Sequence, residues 1–157
     1  MAGAPSIQKL EHWTLVASDV ERTRRWYVEV LGAQIPERIG PPCVTLAGTL
    51  IDMFPCGTDS PAGFPFGMPS PSSIGQHHAY VISLDDYDAW IAHLDNLGQH
   101  YRRAAHGMGR MSIYVDDPDG YHIELTVPFD DLTQGRSEIE KRGLMEEALR
   151  PQRFDAR

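Results

Sequence analysis

Two stretches of the chain match in register without a gap. The first begins at His12-Trp-Thr-Leu-Val-Ala-Ser-Asp19 and runs to Leu31-Gly32. The second begins at His78-Ala-Tyr-Val-Ile-Ser-Leu-Asp85 and runs to Leu97-Gly98. In both, an Asp follows the His by 7 positions and a Gly follows it by 20. Register held over that length points to an internal duplication, and a duplicated unit is one supersecondary element used twice. A single strand or helix cannot bury its apolar face alone, so the duplication commits the chain to two copies of one packed motif.

Each copy reads as a strand followed by a helix. Residues 8–17 and 77–84 are rich in β-branched and aromatic types and end in an Asp turn signal. Ser18 and Glu21 have the spacing of a capping box, which opens a helix to about residue 31. The second helix is expected from Asp85, with Tyr87, Trp90, Ile91, Leu94 and Leu97 at helical spacing as its core face. Gly32 and Gly98 follow as C-terminal residues that accept left-handed dihedrals. Short strands are then expected at about 34–38, 42–47 and 49–54, and again at about 100–105, 110–116 and 121–127. Asp117-Pro118-Asp119-Gly120 supplies the turn before the last of them. The expected fold is α+β, with two paired βαβββ modules forming a curved mixed sheet around a cleft.

Between the modules, residues 55–76 hold five prolines and four glycines, which exclude a regular strand or helix. Phe64, Phe66 and Met68 make this segment too apolar for a plain linker. It reads either as a wall beside the cleft, with Phe64 and Phe66 touching substrate, or as an ordered connector. Residues 1–128 read as one domain. Residues 129–157 read as a charged tail with a helix near 136–149, either docked through Ile139, Leu144, Met145 and Leu149 or frayed.

Composition narrows the function classes. The chain has 157 residues, enough for a sizeable core without a disulfide or structural metal. A net charge of −8 argues against nucleic acid or an anionic membrane surface as a partner. No apolar run is long enough to span a bilayer, and no secretion signal is legible at the start. Cys43 and Cys56 form no CxxC pair, and the expectation is two reduced thiols in a cytoplasmic protein.

Three positions carry the metal chemistry. His12 and His78 hold equivalent places on equivalent strands. On the last strand Ile123 and Leu125 share one face, and Glu124 lies on the other with His122 and Thr126. Two imidazoles and one carboxylate facing a cleft make a facial metal set with open positions, which suits Fe(II) and dioxygen.

These residues carry a family resemblance. The His12 and His78 repeats with Asp117-Pro-Asp-Gly-Tyr-His-Ile-Glu124 resemble the vicinal oxygen chelate superfamily over roughly residues 8–127. That superfamily includes glyoxalase I, fosfomycin- and bleomycin-resistance proteins and type I extradiol dioxygenases. The run from His106 through Ile113-Tyr114, Asp117-Pro118 and Gly120 to Glu124 resembles the extradiol signature, with a departure at Ala104. The resemblance implies a metal on His12, His78 and Glu124, with Fe(II) expected and Mn, Ni or Zn as alternatives. It implies O2 as co-substrate and a catechol substrate, either L-DOPA-like or an aromatic degradation product. It gives His106 and Tyr114 the catalytic contacts to the catechol oxygens, and it implies a homodimer or higher homo-oligomer. No histidine lies between His12 and His77 to match the acid–base histidine of relatives. Proton transfer is therefore left to His77, His106, Tyr114 or water, with His77 and Arg110 as substrate-binding candidates.

Two readings compete. In a glyoxalase-like isomerase, Asp52 takes the first-module place that matches Glu124 and becomes a fourth ligand, favouring Lewis-acid chemistry. In a metal-free antibiotic-binding protein of the same fold, His12, His78 and Glu124 have no joint use. His93, His100 and His122 read as solvated residues. Arg102, Arg103 and Arg110 read either as surface charge or as partners for a substrate carboxylate.

Overall fold

The computed structural model describes residues 9–38, 40–58 and 77–150. The chain divides into two compact units, Met1–Pro71 and Ser72–Arg157. The connector, with Phe64, Phe66 and Met68, lies outside the described residues.

In the first unit, β1 (His12–Ala17) leads to α1 (Val20–Leu31), then β2 (Cys43–Leu46) and β3 (Thr49–Pro55). The sheet order is β1-β3-β2, with β1 parallel to β3 and β2 antiparallel to it. Strand alternation sets the core. Leu15 and Ala17 from β1, Val44 from β2, and Ile51 and Met53 from β3 are all buried. α1 covers the sheet with Tyr27, Val30 and Leu31. Burying a side chain such as Tyr27 stabilises by about 1.5–3 kcal/mol. The α1 cap is Asp19, whose carboxylate accepts from the Arg22 backbone N–H, and not the expected Ser18. Ser18 instead accepts from the Arg22 side chain.

The strand expected at 34–38 is reduced to a single bridge between Gln34 and Thr45. Pro36, Pro41 and Pro42 remove ladder donors from this segment. β2 and β3 join through Ala47-Gly48, both at positive φ (49° and 77°), the backbone of a two-residue type I′ hairpin.

The second unit repeats the plan with a fuller sheet. β4 (His78–Val81), α2 (Tyr87–Asn96), β5 (Tyr101–Ala105), β6 (Arg110–Asp116) and β7 (His122–Pro128) give the order β4-β7-β6-β5. Only β4 and β7 are parallel. Met111, Ile113, Val115, Ile123, Leu125 and Val127 form a continuous buried face. On α2, Tyr87 and Leu94 are buried as expected, but Leu97 is 48% exposed because the helix ends before it. Each sheet is mixed and each helix follows its first strand, so the architecture is the expected pair of α+β modules.

Residues beyond β7 form α3 (Leu132–Lys141) and α4 (Met145–Leu149), separated at Gly143 with φ 70°. α3 packs on β6 and α4 on β5, burying Ile139, Leu144 and Ala148, while Leu149 stays exposed. Arg142 bonds both Asp88 oxygens (3.1 and 2.9 Å), pairs with Glu138, and stacks on the Tyr87 ring at 5.3 Å. It thereby ties this segment to α2.

Candidate functional site

Strand register decides which side chains share a face. In the first unit Thr14 lies opposite Asp52, and His12 opposite Leu50, so His12, Thr14 and Asp52 share one face. In the second unit Ala79 lies opposite Glu124, and His78 opposite Ile123. His78 therefore stands on the apolar Ile123–Leu125 side, away from Glu124. The side chain beside Glu124 is His77, with its Nε2 2.7 Å from Oε2.

The structure thus pairs the carboxylate with the histidine one place earlier than the duplication suggested. Counted from the acid, Thr14 matches Ala79, and His12 matches His77. The two helices still end in matched glycines, Gly32 at φ 69° and Gly98 at φ 64°. Counted from these histidines, the cap Asp86 lies nine positions after His77 and the cap Asp19 seven after His12, so the link between β4 and α2 is two residues longer and the shorter α2 takes up part of the difference. Burial holds the His78 pKa below its ordinary value, and the adjacent His77 adds to this.

Glu124 is 1% exposed. Its Oε1 accepts from Ser112 Oγ at 2.5 Å, and Ser112 Oγ lies 3.1 Å from Thr126 Oγ1. Its Oε2 is buried without a hydrogen bond, and His77 stands in ion-pair contact only. A buried carboxylate oxygen without a donor is costly unless something else occupies it.

Tyr114 is the direct neighbour of Glu124 across β6 and β7. Its hydroxyl lies 2.9 Å from His106 Nε2. The rings of His77 and His106 meet it edge-on at 5.8 and 6.1 Å. The Arg102 guanidinium stacks on it at 5.2 Å, from the opposite β5 position. Burial pushes the Tyr114 hydroxyl up to about 12, helped by the charge and hydrogen bonding of Glu124. Tyr114 is thus a proton donor near neutral pH. His106 is set by the β5–β6 turn, where its N–H donates to the Arg110 carbonyl. Arg110 lies on the same strand face as Ser112 and Tyr114.

In the first unit, Asp52 is 8% exposed and its Oδ1 stands 3.8 Å from Arg38 Nη1. His12 is exposed and pairs with Glu11. Of the remaining histidines, His122 bonds Asp116 at 2.5 Å and His93 stacks on Trp90.

Among the described residues, no three His, Cys, Asp or Glu side chains are grouped to hold a metal ion. The structure does assemble two such donors, Glu124 Oε2 and His77 Nε2, and a carboxylate with an imidazole is a donor set that suits a divalent cation. Ser112 was missed as a site residue, whereas Arg102 reads, together with Arg103 and Arg110, as either surface charge or a substrate partner. Ser112 was legible, since it lies two positions from Tyr114 on one strand face.

The superfamily model described as glyoxalase, bleomycin resistance protein and dioxygenase matches residues 9–125. The mitochondrial methylmalonyl-CoA epimerase of Homo sapiens is 28% identical over 134 residues, covering 76% of this chain and 74% of its own. Glutathione transferase FosA of Serratia marcescens is 26% identical over 122 residues, covering 77% and 82%. A solved glyoxalase/bleomycin resistance protein/dioxygenase from Nocardioides superposes with a TM-score of 0.66 at 20% identity, over 81% of this chain and 87% of that one. No helix among the described residues is long and apolar enough to cross a membrane. With the family model spanning most of the sequence, and the βαβββ plan complete in the second unit and reduced in the first to βαββ with a single bridge at Gln34, the chain belongs to the glyoxalase/bleomycin resistance protein/dioxygenase superfamily.

Proposed function

We propose that the chain is a metal-dependent dioxygenase that opens the ring of a catechol beside its two hydroxyls. The observation that carries this reading is the Tyr114–His106 pair, hydrogen-bonded at 2.9 Å on the same sheet face as a buried carboxylate. Glu124 and His77 would hold the metal, with His77 replacing His78 because only His77 shares the Glu124 face. When bound, iron supplies the redox chemistry that lets ground-state dioxygen react with an aromatic ring.

The protein's own groups divide the remaining work. Ser112 holds Glu124 by Oε1 and leaves Oε2 turned to His77. Tyr114, protonated near neutral pH, donates to a substrate oxygen and steadies negative charge there. The proton exchange falls to His106, whose Nε2 lies 2.9 Å from the Tyr114 hydroxyl. A homodimer or higher homo-oligomer, implied by the family resemblance, is part of the proposal.

The test is oxygen uptake by protein loaded anaerobically with Fe(II) and a catechol. One O2 consumed per catechol, with a ring-opened chromophore, is the expected result. Tyr114→Phe should keep its metal and lose about 10²- to 10⁴-fold in turnover. No uptake across a catechol panel would remove the proposal.

A second reading is an isomerase of glyoxalase type. It is favoured by Asp52, which holds the register place of Glu124 and has a buried Oδ1 without a hydrogen bond. Turnover of the methylglyoxal–glutathione hemithioacetal by Ni(II)- or Zn(II)-loaded protein would establish it.

A further inference from the structure

We infer that Arg102 selects a catechol that carries a carboxylate, an inference that rests on the ring-cleavage reading of the same face. β5 places Arg102 directly opposite Tyr114, and Tyr114 directly opposite Glu124. The three therefore form a row across three strands. Adjacent strands lie about 4.8 Å apart, so the row spans roughly 10 Å. An aromatic acid with a short side arm bridges that span, with its diol at Glu124 and its carboxylate at Arg102.

The state of the guanidinium supports this assignment. In a chain of net charge −8, acidic partners are plentiful. Arg24, Arg142 and Arg150 each hold one. Among the described residues Arg102 has none, and its guanidinium lies over the face of the Tyr114 ring. Stacking occupies the flat face of a guanidinium and leaves its edge N–H donors free, and that edge matches a carboxylate in a two-point fork. The neighbouring Arg103 is already used, since it points to the other side of the sheet with Nη1 3.5 Å from the Arg142 carbonyl. Arg110, on the Tyr114 face, adds positive potential. A cationic catecholamine is repelled by the same pair.

Calorimetry on the iron-loaded protein without oxygen tests this, using 3,4-dihydroxyphenylacetate, catechol and dopamine as ligands. The acid should bind about ten- to hundred-fold more tightly than catechol, with dopamine weakest. Arg102→Gln should collapse the acid-over-catechol ratio to near unity, and Arg102→Lys should restore part of it. If Arg102→Gln does not fold, added salt should erode the acid's advantage in the native protein. A ratio unchanged by Arg102→Gln and by salt, or dopamine binding as tightly as the acid, overturns the inference. Oxygen uptake in the same samples separates the two readings. Charge selectivity that tracks Arg102 without ring opening removes the dioxygenase and keeps the carboxylate site. Ring opening without charge preference does the reverse.

Discussion

Asp52 and Glu124 occupy matched places in their sheets, each on the strand that runs parallel to the first strand of its unit. Their surroundings differ. Asp52 has Cys43 beside it on the antiparallel strand and an arginine within 3.8 Å. Glu124 has Tyr114 beside it, a serine donating to one oxygen, and a histidine at the other. One scaffold, used twice, carries a carboxylate facing an arginine in one copy and a carboxylate held between a serine and a histidine in the other. The lesson is that the βαβββ frame fixes where the acid sits, while the residue opposite it on the neighbouring strand decides its use.

The contrast breaks most sharply under matched substitutions. Glu124→Gln should abolish both metal content and turnover, whereas Asp52→Asn should leave metal content intact. Metal analysis of the two purified variants checks this. Equal loss in both would mean that both acids are ligands and would favour the isomerase.

The second contrast is that only the second unit carries terminal helices on its sheet. A Cβ at Gly135 would lie 2.0 Å from the Met108 carbonyl oxygen and 3.1 Å from Phe129. Gly135→Ala should therefore force α3 off β6 and cost about 2–3 kcal/mol, the upper part of the overpacking range. Urea denaturation measures it. A variant as stable as the native chain would show that α3 does not belong to the unit's packed body.

A smaller effect separates the two hairpins. The β2–β3 turn uses two residues, while the β6–β7 turn buries Asp117, which accepts from the N–H groups of Asp119 and Tyr121 at 2.9 Å each. Burial raises the Asp117 carboxyl to about 6, against the pull of those bonds. A raised folded-state pKa means that the folded form binds the proton more tightly. The contribution is present below about pH 4 and is lost as pH climbs towards 6. Relative to Asp117→Asn, which keeps an acceptor, the native chain should lose on the order of 2 kcal/mol over that window. Parallel stability–pH curves for the two would contradict it.

Much of this was legible in the residues. Alternation in Ile123-Glu124-Leu125 placed the acid on the opposite face from the core, and the structure keeps it there. The Asp117-Pro-Asp-Gly turn and the glycines closing both helices hold the dihedrals their chemistry predicts. The register of β4 on β7 was not legible. His77 and His78 are adjacent, and a match made through the helices conceals the longer link between His77 and Asp86. A one-residue slip turns every side chain to the other face, so this choice decides the ligand. The strand expected at 34–38 failed for a different reason, since its prolines outweigh the repeat's pattern. Nothing local separates Arg102 from Arg103 and Arg110 as a carboxylate partner, because the distinction lies in its stacking on Tyr114 across the β5–β6 ladder.

Metal stoichiometry of His77→Ala and His78→Ala, each loaded with Fe(II) under argon, bears most directly on this account. His77→Ala should come through the loading without iron and His78→Ala should retain it. Iron kept by His77→Ala and lost from His78→Ala would show that the carboxylate's partner is the other histidine and that the strand register set out above is wrong.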